Sequence, residues 1–397
     1  MIVRIASFFV AAVIASSASL HAQEPVTYAD FGIRMLQRET TAAPDRNVIV
    51  SPLSAGLALS MAYDGAVGAT ATEMAQTLGL NGLTSDQLDA AEAPVVPLLT
   101  SRQNVDVEIA DSAWVDNSRP EQPYPAYEQR IAHAYGASLH PADFRNPATV
   151  DAINGWISQA THGNITDLLD HLDANAALFL CNALYFKGSW QEKFDKNLTE
   201  RKTFTLPDGS RVKAPRMSAS RSFDYFETPD FQAVKLPYQG GFSMEVFLPA
   251  QGFGLGKLER AMSGDDWGAW QDRFESRPGT LELPKFTLHW KNSLKASLQA
   301  MGMQTAFTGA AQFYHMYPRD PKYVVYIEDV VQATYMNVDE EGTTAAAATG
   351  VTMGVAAVAM APPSPFSMIV DRPFFCAIVD DASGTPLFFA AINDPRG

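Results

Sequence analysis

The feature that most constrains the fold of this chain is an uncharged segment near its C-terminus. The segment follows two acids, Glu340 and Glu341. It contains only small side chains as far as Thr349 and ends at a Pro-Pro pair, 362–363. It directly follows a predicted strand, 323–338, that is rich in Val, Ile and Tyr. Connections in compact domains typically have ~4–6 residues, and loops beyond ~15 residues are usually functional or disordered. Any fold for this chain must therefore accommodate a long, plain loop after a strand.

Two interpretations of the segment are open at this point. It could be a flexible linker or a short helix, because Ala is the best helix former. A linker should separate two domains, however, and only residues 364–397 follow, which themselves indicate strands. Alternatively, the segment could have two positions, one in water and one inside a sheet. Alternate residues of a strand share a face, so Thr343, Ala345, Ala347 and Thr349 would lie together, and none is bulky enough to obstruct insertion.

The N-terminus has the pattern of a secretory signal over residues 1–22. Arg4 precedes an apolar run, 5–15, and Leu20-His21-Ala22 resembles a cleavage site. The run is too short to span a bilayer. No Pro/Ser/Gly-rich linker divides the remainder, so we expect one domain, 23–397, exported to the periplasm or the extracellular space.

Charge and composition restrict the partners. The chain has a formal net charge of −15 with 47% hydrophobic and 18% charged residues, which suits one large globular unit. An acidic surface argues against nucleic acid, anionic membranes and polyanions as partners. The sequence shows no Lys/Arg cluster that would bind a heparin-like cofactor.

The cysteine and histidine residues predict no metal or cofactor site. Cys181 and Cys376 lie in apolar, strand-like runs. An exported protein could pair them, but buried free Cys is common, and we favour free thiols. The seven His show no ligand spacing typical of a metal site.

A second informative stretch is the almost uncharged predicted strand 176–186, which indicates burial on both faces. It contains one polar residue, Asn182, at the start of the motif NALYFKGSW, 182–190. An unsatisfied buried amide costs about 1–3 kcal/mol. Asn182 therefore needs hydrogen-bond partners within the fold.

Motifs along about residues 27–396 resemble those of the serpin family of serine protease inhibitors. The stretch 340–350, EEGTTAAAATG, resembles the hinge of a serpin reactive-centre loop, and 182–190 resembles a signature strand of the family. Further resemblances occur in the family's order at 47–54 (NVIVSPLS), 236–238 (LPY), 243–249 (SMEVFLP), 283–286 (LPKF), 294–303, 371–375 and 386–389.

The resemblance implies an α+β serpin fold with three β-sheets (A, B and C), eight or nine helices and an exposed reactive-centre loop at about 340–363. Within the family, the chain resembles exported members of the bacterial type that carry the hinge pattern of an inhibitor. Three residues would form a gate, or shutter, beneath the central sheet (Ser54, Asn182 and Gln332), and loop insertion would begin at Trp190. The hinge would comprise Glu340, Glu341, Gly342, Thr343, Thr344, Ala345, Ala346, Ala347, Ala348 and Thr349.

The resemblance also implies an activity: serpins inhibit serine, and in some cases cysteine, endopeptidases by being cut. Counting from Glu340 places the cleaved bond at Ala356–Ala357. The loop is several residues longer than usual when measured back from Pro373, so the neighbouring candidates are Met353, Val355 and Val358. The protease would remain attached as a covalent 1:1 acyl complex while the hinge inserts into sheet A. We expect a monomer without a cofactor.

The loop's composition predicts the class of target. It contains no Arg or Lys, so trypsin-like enzymes, whose pocket carboxylate would remain unpaired, are disfavoured. Small apolar residues favour elastase-, subtilisin- or proteinase K-like enzymes.

Two alternatives remain from other classes. A non-inhibitory serpin-fold carrier, chaperone or storage protein would share the fold, although the small hinge residues argue against it. A hydrolase is disfavoured because the sequence lacks G-x-S-x-G, S-x-x-K, P-loop and H-E-x-x-H motifs. We therefore expect that the chain is not an enzyme.

Overall fold

A computed structural model describes residues 26–80, 82–174, 176–320, 322–343 and 364–397. The predicted signal sequence, 1–22, and loop residues 344–363 lie outside the described residues. The helices are α1 (Ala29–Ala42), α2 (Pro52–Gly65), α3 (Gly68–Leu78), α4 (Ser85–Glu92), α5 (Val95–Thr100), α6 (Pro125–Tyr135), α7 (Ala148–Ala160), α8 (Leu255–Ala261), α9 (Gly264–Gln271) and α10 (Lys295–Ala300).

The strands follow the same chain order. They are β1 (Val48–Val50), β2 (Val105–Asp116), β3 (Ser138–Ala142), β4 (Leu178–Ser189), β5 (Glu200–Thr205), β6 (Arg211–Glu227), β7 (Phe231–Pro237), β8 (Phe242–Pro249), β9 (Glu275–Pro284), β10 (Phe286–Ser293), β11 (Ile327–Val338), β12 (Gly342–Thr343), β13 (Phe366–Ile369), β14 (Phe374–Asp380) and β15 (Pro386–Ile392).

The central sheet has the strand order β10-β11-β12-β4-β2-β3. The long apolar strand β4 is buried on both faces, as the sequence predicts. Phe179 and Cys181 pack in a cluster with Ile153 and Ile157 of α7, whereas alternate residues such as Leu180 belong to the main core. Because successive side chains point to opposite faces, Asn182 faces the main-core side.

The remaining strands are joined in a second hydrogen-bonded array in the order β1-β15-β14-β8-β7-β6-β9-β13, with β5 paired to β6. The long strand β6 pairs with β9 along one side, and with β5 and then β7 along the other. It thereby links the two halves of this array, which correspond to the two further sheets that were expected. In the described part of the chain, only Ala93 and Pro94 separate α4 from α5. Counted as one interrupted helix, the two bring the number of α-helices there to nine, within the expected eight or nine. The predicted α+β fold is confirmed.

Two details of the sequence interpretation can be compared with the structure. The strand expected from Tyr323 begins only at Ile327, because Tyr323 is part of a local turn in which its N–H donates to the Asp320 carbonyl. That boundary prediction was wrong. Cys181 lies in β4 and Cys376 in β14, in different sheets, and both are buried free thiols.

A cluster of buried acids joins the helices beside the central sheet. Burial raises the pKa of Glu92 to about 8, although hydrogen bonds from Tyr28, Tyr135 and Ser60 oppose the shift. Burial and the neighbouring Asp89 raise the pKa of Asp64 to about 7, against the effect of Arg130. These groups come from the N-terminal cap of α1 and from α2, α4 and α6, so hydrogen bonds and ion pairs to the buried carboxyls join four helices.

This cluster predicts a pH-dependent stability. In the unfolded chain both carboxyls ionise near their ordinary pKa, whereas the folded protein keeps Glu92 protonated up to about pH 8. The folded state therefore binds more protons, and the free energy of unfolding should fall as the pH rises from 4.5 towards 8. We expect a lower melting temperature at pH 9 than at pH 6. In Glu92→Gln the decline should be smaller, since the amide does not titrate.

The control for this experiment is Glu128→Gln on the exposed face of α6. It should keep the pH dependence of the unmodified protein in thermal unfolding followed by circular dichroism. Equal slopes for Glu92→Gln and the unmodified protein would contradict the assignment.

Candidate functional site

The site lies along the line between β11 and β4, the two central strands of the main sheet. Over their N-terminal parts, these strands pair directly and in parallel, from Ile327 opposite Leu178 to Thr334 opposite Leu184. Towards their C-terminal ends the two strands diverge, and β12 occupies the gap between them, at what is here called the upper end of the sheet. Thr343 pairs with Val338 of β11, and β12 is antiparallel to both neighbours. The first two residues of a strand therefore already sit between β11 and β4.

Gly342 is the residue at which the chain turns back into this gap. Its φ is 145°, in a region that side chains rarely adopt. A Cβ atom there would lie 2.1 Å from the Gly188 carbonyl oxygen. Backbone thus approaches backbone so closely that only glycine fits, and the turn fixes where β12 begins.

Thr343 is held by a polar contact at the top of the gap. Its hydroxyl lies 2.6 Å from the hydroxyl of Tyr238, and the residue is 1% exposed. A small side chain with one hydroxyl fits this position because its partner is another hydroxyl. A large or charged side chain would have to leave the sheet.

Trp190 closes the same end of the gap. Its indole N–H donates to the Asp339 carbonyl at 2.9 Å, and its backbone N–H donates to the Glu341 carbonyl at 2.9 Å. Its ring stacks on Tyr238 with centroids 4.3 Å apart and an interplanar angle of 11°. Trp190 therefore fixes the backbone immediately before β12.

The two glutamates that precede Gly342 are anchored by cations. Lys193 and Lys196 contact the Glu341 carboxylate at 2.6 and 2.8 Å, and these hydrogen bonds lower its pKa to about 2. Burial opposes ionisation of Glu340, but hydrogen bonds from Lys285 at 2.6 Å and Thr199 at 2.7 Å outweigh it and lower its pKa. Both carboxylates are charged at neutral pH and fix the start of the segment.

Ser54, Asn182 and Gln332 form one hydrogen-bonded cluster, here called the gate cluster, at the point where β11 and β4 pair directly. The Gln332 side-chain N–H donates to Asn182 Oδ1 at 3.0 Å, and the Ser54 hydroxyl donates to the same oxygen at 3.2 Å. Gln332 also accepts from the Ser51 N–H at 2.8 Å and donates to the Ser51 carbonyl at 3.0 Å. These contacts tie β11, β4 and the start of α2 together across the line along which the sheet would open.

The local sequence explains why α2 starts at this place. Ser51 is extended and its hydroxyl accepts from the Ser54 N–H, while Pro52 occupies the first helical position, where no donated hydrogen bond is needed. The Ser51 N–H and carbonyl both face the Gln332 side chain, and the carbonyl also accepts from the Ala55 N–H. The start of α2 thus supplies both a donor and an acceptor to the gate cluster.

Asp111 is an additional member of this region that the sequence analysis missed. It lies on β2 directly opposite Asn182, and its carboxylate oxygen is 3.4 Å from the Ser54 hydroxyl. Burial raises its pKa well above the ordinary value, against the effect of that hydrogen bond. A signal was present, because Val105, Val107 and Ile109 are apolar at alternate positions and Asp111 breaks this pattern.

Other residues missed by sequence reasoning surround the hinge. Tyr238 was noted only as part of a motif, yet it contacts both Thr343 and Trp190. The side chains that bind the glutamates, three cations and one hydroxyl, come from segments distant along the chain, so no local pattern indicates them. These residues are Lys193, Lys196, Thr199 and Lys285.

The rest of the proposed site lies outside the described residues. This applies to the later hinge positions and to every candidate for the cleaved bond: Thr344, Ala345, Ala346, Ala347, Ala348, Thr349, Met353, Val355, Ala356, Ala357 and Val358. Across the ranges that the structure describes, no group of three or more His, Cys, Asp or Glu could hold a metal ion. No helix in the same ranges is long and apolar enough to cross a membrane.

Comparisons with known proteins agree with this geometry. Residues 26–395 match the family model described as Serpin (serine protease inhibitor). Iripin-2 from Ixodes ricinus is 32% identical over 372 residues, which covers 91% of each chain. The native state of Tengpin, a thermophilic serpin, superimposes with a TM-score of 0.84 at 26% identity, covering 93% of this chain and 94% of that one.

One further structural neighbour bears on the alternatives. A thyroxine-binding globulin in complex with thyroxine has a TM-score of 0.83 at 22% identity and covers 94% of this chain and 99% of its own. This likeness shows a shared fold. The family as described consists of protease inhibitors rather than catalysts. With the family model matching nearly the whole of the described chain, the protein belongs to the serpin family.

Proposed function

We propose that the protein is a suicide-substrate inhibitor of serine endopeptidases, and of cysteine endopeptidases that use the same acyl chemistry. The protease nucleophile attacks the carbonyl of Ala356, or of a neighbour within 353–358, and forms an acyl bond while the amine of the next residue leaves. The newly freed strand then inserts between β11 and β4. The insertion carries the attached protease away before water hydrolyses the acyl bond.

The observation that carries this proposal is the position of β12. Gly342 and Thr343 already occupy the upper end of the gap between β11 and β4. The residues that follow Thr343 in the sequence are Thr or Ala as far as Thr349. Insertion extends an existing strand rather than starting a new one, and the small side chains pass between the neighbours without steric obstruction.

Insertion must separate the direct pairing of β11 with β4. This requires the hydrogen bond from Gln332 to Asn182 to break. An inserted strand of about 15 residues, at roughly 3.3 Å per residue, spans some 50 Å. That distance moves the protease from one end of the sheet to the other, where distortion of its oxyanion hole slows hydrolysis; losing one donor there costs roughly 10²–10³ in rate.

The preferred targets follow from the loop's residues. The absence of Arg and Lys disfavours proteases with an acidic pocket. Elastase-, subtilisin- and proteinase K-like enzymes accept small apolar residues and are the proposed partners. The inhibitor acts as a monomer of a single domain, 23–397, without a cofactor, and residues 1–22 direct its export and are then removed.

The test is incubation with elastase or subtilisin. We expect a covalent 1:1 complex that survives denaturing electrophoresis, and mass spectrometry should place the new terminus within 353–358. Protein cleaved there should also melt at a much higher temperature than intact protein, since the inserted strand adds pairing on both sides. Cleavage elsewhere would contradict the bond assignment.

The second candidate function is a non-inhibitory carrier. It is favoured by the likeness to thyroxine-binding globulin, a protein that binds thyroxine, although that likeness is of fold alone. A carrier should be clipped in the loop by both proteases without forming a stable complex. Absence of the complex together with an unchanged melting temperature after cleavage would favour the carrier.

A further inference from the structure

The hairpin formed by β5 and the first part of β6 presents cations on its outer face. Phe204 of β5 and Ala214 of β6 are buried, so the alternate residues of both strands point outwards. Those residues include Arg201, Lys213 and Arg211, and all three are exposed. The strand register brings them together, with Thr203 opposite Lys213 and Thr205 opposite Arg211.

The cations on the two faces of the hairpin differ in their partners. On the inner face, Lys202 and Arg216 share the carboxylate of Glu282 at 2.7 and 3.5 Å. Among the described residues, no ion pair involves the three outward cations, here called the hairpin patch (Arg201, Arg211 and Lys213). Arg201 donates only to the backbone carbonyl of Lys213, at 3.2 Å. An unpaired cationic patch is unexpected on a chain of net charge −15.

The hairpin also lies beside the start of the reactive-centre loop. Thr199, just before β5, donates to Glu340 at the start of the hinge. Thr205, the last residue of β5, donates its N–H to the Asp371 carbonyl beyond the loop at 2.8 Å. The six residues of β5 span about 20 Å at roughly 3.3 Å each. The hairpin patch therefore starts, at Arg201, two residues from the contact with the base from which the loop leaves.

We propose that the hairpin patch is a secondary docking surface for target proteases that carry an acidic surface beside their active site. This inference rests on the proposed inhibitory function and adds a charge preference to it. A specific interface covers about 800 Å² on each partner, so a protease bound to the loop would extend over the neighbouring hairpin. Opposite charges there accelerate encounter more than they strengthen the final complex.

The patch fits a protein better than a polyanion. Each phosphate or sulfate of a polyanion needs a cation, and long stretches of such cations are absent from this acidic chain. The hairpin has two acids: Glu200, whose carboxylate lies 3.7 Å from Lys202 of the inner face, and Asp208 at the turn, which accepts from the Ser210 N–H. The outward positions of its two strands carry three cations and no acid. Three cations in a small area match a short acidic segment at the rim of a protease.

The experiment measures second-order association rates with two subtilisin-type proteases, one with an acidic and one with a basic surface. The variant Arg201→Glu/Arg211→Glu/Lys213→Glu should associate with the acidic protease about tenfold more slowly at low salt, and the difference should vanish at high salt. With the basic protease its rate should be equal or higher. The number of inhibitor molecules consumed per protease should not change, because the patch does not take part in insertion.

A matched control reverses the same number of exposed charges on α1 and α8: Arg38→Glu/Lys257→Glu/Arg260→Glu. It should retain the unmodified rate with both proteases apart from a small general effect of net charge. Equal losses in the two triple variants would overturn the proposal, as would acceleration by heparin that disappears in the hairpin variant while both protease rates stay unchanged. If the unmodified protein forms no complex with either protease, the proposed inhibitory function fails instead.

Discussion

Replacing Thr343 by Arg is expected to convert the inhibitor into a substrate. Thr343 is buried, paired with both central strands, and bonded to the Tyr238 hydroxyl. An unpaired buried charge costs several kcal/mol, and each 1.36 kcal/mol added to the insertion barrier slows insertion about tenfold. Hydrolysis of the acyl bond then becomes faster than insertion of the strand. The yield of stable complex with subtilisin should fall below about a tenth of the unmodified value, and cleaved inhibitor should accumulate.

Two further variants separate charge from the lost hydroxyl bond. Thr343→Ser keeps the hydroxyl that faces Tyr238 and should form nearly as much complex as the unmodified protein. Tyr238→Phe removes the partner hydroxyl but adds no charge, so we expect only a partial loss. An undiminished yield of complex with Thr343→Arg would argue strongly against insertion of this strand.

The second large effect is expected at the gate cluster. Gln332→Ala removes the hydrogen bonds to the Ser51 N–H, the Ser51 carbonyl and Asn182 Oδ1. Buried groups left without partners cost about 1–3 kcal/mol each. The native form should melt at a lower temperature, by roughly 2–4 °C per kcal/mol lost. It should also lose inhibitory activity on storage at 37 °C without any cleavage, because fewer hydrogen bonds hold β11 against β4.

The same strand provides a control for that variant. Thr334 lies two residues further on, on the same face, fully buried, and its hydroxyl has no hydrogen-bond partner among the described residues. Thr334→Val keeps the volume and removes an unsatisfied polar atom, so its melting temperature should be equal or slightly higher. Equal melting temperatures and storage lifetimes for Gln332→Ala and Thr334→Val would contradict the role given to the gate cluster.

Local patterns were sufficient for much of the fold. The uncharged run located β4, and the Ser51-Pro52 pair is a recognisable signal for the start of α2, because both signals depend on neighbouring residues alone. The strand containing Gln332 was also found, although it starts later than its Val- and Tyr-rich composition indicates. A turn closed by Tyr323 and Asp320 competes with strand pairing there.

The contacts of the site depend on long-range pairing, which the sequence does not display. Lys285 meets Glu340 and Tyr238 meets Thr343 only because distant strands converge at one end of the sheet. Resemblance to a family could point to Ser54, Asn182 and Gln332, but no single-sequence argument gives the distances among them. Asp111 was detectable only as an interruption of an apolar alternation.

The pairing of β11 and β4 has a consequence for how the protein is used. These strands run parallel, whereas β12 is antiparallel to both. Full insertion would exchange one parallel ladder for two antiparallel ones, which are slightly more stable per residue. Such an exchange has no return path once the loop is cut. An inhibitor that acts by the proposed mechanism would be used once per molecule, and the fraction of cleaved inhibitor in its surroundings would record cumulative exposure to protease rather than the protease present at any moment.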